Sequence, residues 1–201
     1  MVRLAAKAIG RKPSEIILDQ NQHQQACKQL EEGPRRGRPD ILQYVLLTIL
    51  ESPAAQAGLV EVAVHTRNNE LIRIRPGTRL PRGESRFQGL MSKVLREGRS
   101  QDKEPLVWID EVCTPAEALT KFAKGRVIRL DESGESAEPI ALTGQPTTVV
   151  LGGFPDGGFS DAWKAAAPVT VSLWPTPLVA WAIAAEVVAA WRPAPTKSAQ
   201  I

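Results

Sequence analysis

Alternation of apolar and polar positions predicts the elements of this chain. Leu59–His65 (LVEVAVH) and Leu71–Arg75 (LIRIR) alternate with period two on either side of Arg67-Asn68-Asn69, which reads as a β-hairpin. Between Glu84 and Glu97 the apolar positions are Phe87, Leu90, Met91, Val94 and Leu95, an amphipathic helix closed by Gly98. Asp40–Glu51 is apolar almost all round, predicting a buried helix that ends at Ser52-Pro53. Glu15–Asp19 reads as a first strand, Asn21–Leu30 as a short helix and Glu31–Gly37 as a loop. Further strands are predicted at 106–109, 126–130, 147–151 and 169–173, with helices at 115–123 and 177–191. Asp131–Glu138 reads as a polar loop, and the Pro-rich stretch 192–201 as a frayed tail. Strands alternating with helices argue for an α/β fold with a mostly parallel sheet, in one domain of 201 residues.

Composition narrows the class. A hydrophobic content of 43% supports a sizeable core. No apolar run approaches the roughly 20 residues of a membrane span. The N-terminal stretch has no continuous apolar h-region, so it does not read as a signal peptide. Two cysteines and two histidines are too few for a disulfide framework or a metal cluster, and the expected compartment is reducing and cytoplasmic.

Charge is informative through its placement. The net charge is only +3, yet residues 67–99 carry nine basic side chains against three acids, and Arg35, Arg36 and Arg38 add three more. The remainder is therefore acidic, and a basic region on an acidic protein reads as a nucleic-acid footprint. Arg35-Arg36-Gly37-Arg38-Pro39-Asp40 runs straight into an apolar helix. Arginine forks held in fixed geometry suit phosphate oxygens, whereas on a solvated turn they would have no such role. Arg79, Arg82 and Arg86 continue the pattern, and Arg86, Gly89 and Lys93 share a helix face opposite the apolar stripe. Asp40, at a helix start, can orient Arg38 or serve as a base. The first role is favoured, since the helix dipole keeps the carboxylate ionised.

Two loops are candidate ligand sites. Leu151-Gly152-Gly153-Phe154-Pro155-Asp156-Gly157-Gly158 follows a strand of β-branched residues, where α/β proteins bind ligands. The spacing is neither a P-loop nor GxGxxG. Ser172-Leu173-Trp174-Pro175-Thr176-Pro177-Leu178 is a rigid apolar turn suited to a flat ring such as adenine. His23 and His65 read as structural. Trp181 and Trp191 lie on a helix whose only charge is Glu186, which points to burial on more than one side and to a homodimer.

The blocks RRGRPDILQYVLLTILESP, HTRNNELIRIRPGTRLPRGESRFQGLMSKVL, GGFPDGGFSDA and SLWPTPLVAWAIAAEV resemble the Nep1 (Emg1) family, in its archaeal form, from about Leu18 to Trp191. The resemblance implies a SPOUT-class methyltransferase fold with a C-terminal trefoil knot over about 140–191 and a basic hairpin elaboration over about 55–83. It implies S-adenosyl-L-methionine as cofactor, with Thr143, Gly152, Gly153, Gly157, Val171, Ser172, Leu173, Trp174, Pro175 and Leu178 as its binding residues. It implies Arg38, Arg79, Arg82 and Arg86 as RNA contacts, a homodimer, and pre-ribosomal protein partners. The implied reaction is methylation of N1 of a pseudouridine in small-subunit (16S) ribosomal RNA. Alternatives are a non-catalytic RNA-binding assembly factor of the same fold, or a SPOUT enzyme acting on transfer RNA. The chain departs from the family pattern GGFPHGDF at Asp156 and Gly158, and carries Trp174 where Tyr is common.

Overall fold

A computed structural model describes residues 16–101 and 103–194. Its elements form two three-stranded sheets. The first is antiparallel, in the order β1 (Val62–His65), β2 (Glu70–Ile74), β3 (Val107–Val112). The expected hairpin forms, with Val62 opposite Ile74 and His65 opposite Leu71, though β1 begins at Val62 and not at Leu59. β3 adds a third strand along β2, so the hairpin is part of a sheet. The second sheet is parallel, with β4 (Arg126–Ser136) between β5 (Thr147–Val150) and β6 (Thr170–Ser172).

Helices join the two halves. α1 (Gln20–Lys28) leads through a 3-10 turn, Gly33–Arg35, into α2 (Pro39–Leu50), which is followed by the single turn α3 (Pro53–Gln56). α4 (Glu84–Glu97) ends at Gly98 in the left-handed region, φ 77°, as its sequence predicts. α5 (Pro115–Phe122) begins with a capping box between Thr114 and Glu117. α6 (Asp161–Ala166) follows the glycine loop, and α7 (Ala180–Ala190) packs on α2 and α3.

The main core lies between α2, α4 and the antiparallel sheet, with Leu46, Ile72, Phe87, Met91, Val94 and Val107 all buried. The parallel sheet has a smaller cluster of Ile128, Leu130 and Leu142, against which Val149, Leu151, Val171 and Leu173 are half-buried.

Four local expectations are corrected. Ile16–Asp19 forms no strand, and Glu15 lies outside the described residues. Asp19 instead caps α1, its carboxylate accepting from the Asn21 amide at 2.8 Å, a role that outweighs β-propensity. The polar stretch from Asp131 is strand as far as Ser136. Both Leu130 and Glu135 pair with Val171, so the intervening residues make an excursion within β4, turned by Asp131 accepting from Ser133. α7 starts at Ala180 and not at Pro177, because the prolines hold the preceding turn extended. Finally, α2 is buried or half-buried along its length except at Tyr44, which is 49% exposed. The stretch 195–201 lies outside the described residues.

Candidate functional site

Arg38 and Asp40 are built as a unit at the start of α2. Arg38 precedes Pro39, which begins the helix and fixes its direction. Arg38 Nε donates to Asp40 Oδ1 at 2.9 Å, and Nη2 donates to Asp40 Oδ2 at 2.7 Å. The hydrogen bond from Arg38 holds the Asp40 carboxyl below its usual range, despite partial burial that acts the other way. A carboxylate so held is a poor general base, and the geometry gives Asp40 the orienting role.

The other arginines surround the start of α4. Arg79 and Arg86 are exposed and make no ion pair among the described residues. Arg82 is also exposed but is engaged by Glu51, with Nε at 3.1 Å and Nη2 at 2.9 Å from its carboxylate oxygens. The α2 side chain Gln43, itself buried, donates to the Pro81 and Arg82 carbonyls at 3.1 and 2.9 Å and so fixes that turn. Gly89 faces open space, as a close-approach site on this face requires, and Lys93 lies within 3.8 Å of Glu97.

In the parallel half, the turn after β6 closes one side of a cavity of about 620 Å³. Leu173, Trp174, Pro175 and Leu178 line it, opposite Ser136–Pro139, and Ala182 and Glu186 of α7 complete the wall. Buried Ser172 shapes this turn, its hydroxyl donating to the Trp174 carbonyl at 2.8 Å, while its own carbonyl accepts from Ala137 N at 2.9 Å. Val171 sits in β6 against β4 and supports the wall from behind.

The remaining expected cofactor residues are not in the lining of that cavity. Thr143 ends the 3-10 turn Pro139–Leu142, donating from its hydroxyl to the Ile140 carbonyl at 2.8 Å. Gly152 and Gly153 begin the loop after β5, on the far side of β4 from β6. A Cβ on Gly152 would lie 2.7 Å from the Phe154 ring, so this glycine makes room for that aromatic. Gly157 and Gly158 both have positive φ, 84° and 67°, which side chains at those positions would oppose.

Two arginines that were not expected in these loops are built into them. Arg35 reaches the glycine loop, donating from Nη2 to the Gly158 carbonyl. Arg129 of β4 is buried, and its Nη1 donates to Ala167 O at 2.6 Å and Lys164 O at 3.2 Å, closing the carboxyl end of α6. A charged residue inside the apolar run VIRL was the available signal for Arg129; nothing in the sequence pattern marked Arg35 from its neighbours. The histidines are structural, as expected: His23 Nδ1 accepts from Asp19 N at 3.1 Å, and His65 Nε2 lies 2.8 Å from Cys113 O. No group of ligating side chains for a metal occurs among the described residues.

Comparison with known proteins matches this arrangement. The family model described as EMG1/NEP1 methyltransferase matches residues 2–192. The protein called ribosomal RNA small subunit methyltransferase Nep1 from Thermococcus onnurineus is 40% identical over 188 residues, 91% of this chain and 84% of the relative. Its namesake from Pyrococcus furiosus is 37% identical over 191 residues, covering 92% and 84%. A crystal structure of Archaeoglobus fulgidus Nep1 bound to S-adenosylhomocysteine superposes with a TM-score of 0.81 at 32% identity, covering 94% of this chain and 86% of the other. With a parallel sheet flanked by helices, a rigid turn walling a ligand-sized cavity and a match along almost the whole sequence, the chain has the SPOUT-type α/β fold and belongs to the EMG1/NEP1 methyltransferase family.

Proposed function

We propose that this protein is an S-adenosylmethionine-dependent methyltransferase that methylates N1 of a pseudouridine in small-subunit ribosomal RNA during ribosome biogenesis. The observation that carries the reading is the cavity behind Leu173–Leu178, in a family whose Archaeoglobus fulgidus member binds S-adenosylhomocysteine. At about 620 Å³ it is in the usual range for small-molecule sites, with apolar walls for a ring and a few polar groups. When bound, S-adenosylmethionine supplies a methyl group on a sulfonium that is already an activated leaving group.

The chain's own residues then have to bind and orient. Leu173, Trp174, Pro175 and Leu178 hold the ring portion, and Ser172 keeps their turn in shape. Thr143, Gly152, Gly153, Gly157 and Val171 complete the knot region, whose threading as a trefoil belongs to this proposal. Arg79 and Arg86 anchor RNA phosphates directly, and Arg82 joins them by exchanging Glu51 for phosphate. Arg38, aligned by Asp40, steadies a base turned out of its stack, since a stacked base cannot offer N1 to a methyl donor. Orientation supplies most of the rate, because no side chain is placed as a strong base.

The exposed apolar residues Tyr44, Trp174 and Val179, beside an α7 that is buried on one side, support a homodimer. Among the described residues no helix is long and apolar enough to cross a membrane. A cytoplasmic setting, with pre-ribosomal proteins nearby, completes the reading.

The test is calorimetric titration with S-adenosylhomocysteine, followed by methyl transfer from S-adenosylmethionine to small-subunit RNA fragments. Saturable binding and transfer only to fragments containing pseudouridine are expected. No cofactor binding by the folded protein would favour the assembly-factor reading and would point to the exchanged residues Asp156 and Gly158. Transfer confined to transfer RNA would replace the substrate.

A further inference from the structure

Arg35 belongs to the basic run before α2, yet its side chain turns away from the other arginines and into the glycine loop. Its Nη2 donates to the Gly158 carbonyl. Its guanidinium carbon lies 5.5 Å from the centroid of the Phe154 ring, within cation–π range. A Cβ on Gly157 would meet Arg35 Cδ and Nε at 3.2 Å, so the loop backbone lies directly against the arginine stem. The side chain is 22% exposed, and its Nε is buried without a hydrogen-bond partner. Beneath the guanidinium, Phe154 covers the space over Gly152 and meets Phe159 edge-on at 5.2 Å.

The other end of this network leads to the antiparallel half. Arg35 Nη1 is 3.4 Å from Glu32 Oε1, and Glu32 also pairs with Arg67 in the turn between β1 and β2. One carboxylate therefore joins the hairpin turn to the arginine that grips the glycine loop. The loop itself has two positive-φ glycines in succession, and such a segment needs outside contacts to stay in one conformation.

We propose that Arg35 is a positioning residue for the cofactor, acting through the glycine loop, and that Phe154 is its partner. The inference rests on the assignment of that loop to the cofactor site. Arg35 fixes the Gly158 carbonyl and the Phe154 ring, and the ring sets the backbone at Gly152. It contributes to cofactor affinity without touching RNA, in contrast to Arg38 three residues later.

The experiment is titration of S-adenosylhomocysteine into the unsubstituted protein, Arg35→Ala, Phe154→Leu and the double variant, with RNA affinity measured in parallel. Each single variant should weaken cofactor binding by about tenfold, the scale of one lost charged contact. The double variant should be little worse than the poorer single one, because both remove the same contact. Arg35→Ala should raise KM for S-adenosylmethionine with little change in kcat, and leave RNA affinity alone. Unchanged cofactor affinity in Arg35→Ala, beside normal binding by the unsubstituted protein, would overturn the positioning role. Additive losses in the double variant would overturn the partnership with Phe154. Loss of RNA affinity with cofactor binding intact would make Arg35 a phosphate contact instead. No binding by the unsubstituted protein would sink the cofactor assignment and this role with it.

Discussion

The two sheets solve different problems. The antiparallel half packs β2 with three buried residues against α2 and α4, and Ile72, Phe87 and Val94 have no exposed surface. In the parallel half the central strand β4 also has three buried residues, but the apolar cluster around it holds only Ile128, Leu130 and Leu142 against eight buried residues in the main core, and the strands beside it pass into glycine and proline loops. On the proposed reading the first half carries arginines whose spacing must match a phosphate backbone, so it needs a rigid platform. The second surrounds a cavity, and on the same reading its loops form walls around a ligand and do not fill the space themselves. Burial is thus concentrated where charge has to be held still.

The largest expected effect tests that contrast directly. Phe87→Ala should destabilise the protein by about 3–5 kcal/mol, because the site lies at the centre of a core that cannot easily collapse. Leu142→Ala in the parallel half should cost less, about 2–3 kcal/mol, since its half-buried neighbours can close over the space. Urea unfolding measures both. Equal losses would mean that the two halves are packed alike.

Gly152→Val should come next. The branched side chain would displace the Phe154 ring, 2.7 Å from the first added carbon, and S-adenosylhomocysteine binding should fall by at least about tenfold. RNA affinity should hold, because the arginine platform is in the other half. A variant that binds S-adenosylhomocysteine normally would remove the glycine loop from the cofactor site.

The contrast also explains what could be read from the chain. α4 was legible to within a residue, since five apolar positions at helical spacing and a closing glycine state one helix with one buried face. The hairpin was equally plain, because period-two alternation on both sides of a polar turn fixes its register. The parallel half was less so. α6 is a six-residue helix with no buried residue, so it has no apolar stripe to betray it. β4 continues through Asp131–Ser136 because β6 supplies its partner, a long-range pairing that local polarity contradicts. Among the site residues, Arg38 with Asp40 was visible as a short-range pair. The gathering of Arg35 with Gly158 spans 123 positions and has no local signature. Resemblance to the family named the loops, but only coordinates separate the turn that lines the cavity from the glycine loop beyond β4.

A smaller effect separates the arginines within the platform. Arg86→Glu should reduce affinity for small-subunit RNA by on the order of tenfold and flatten its salt dependence, while cofactor binding stays normal. Arg86 has no carboxylate partner among the described residues, so phosphate meets it without competition. Loss of both ligands together would mean that the helix, and not its charge, had been damaged.

The smallest effect is a gain. Arg82 is held in both arms by Glu51, and any phosphate must displace that carboxylate. Glu51→Gln removes the competing charge and keeps the size of the side chain. RNA affinity should rise by about two- to threefold, a modest change because an exposed ion pair contributes little against solvent and salt. The gain should shrink at high salt, where the pair is already screened, and should disappear in Arg82→Ala. A gain that persists without Arg82 would show that Glu51 repels RNA as a general negative charge; no gain at all would mean that Arg82 keeps its carboxylate when RNA is bound, and that Arg79 and Arg86 carry the phosphate contacts of this face.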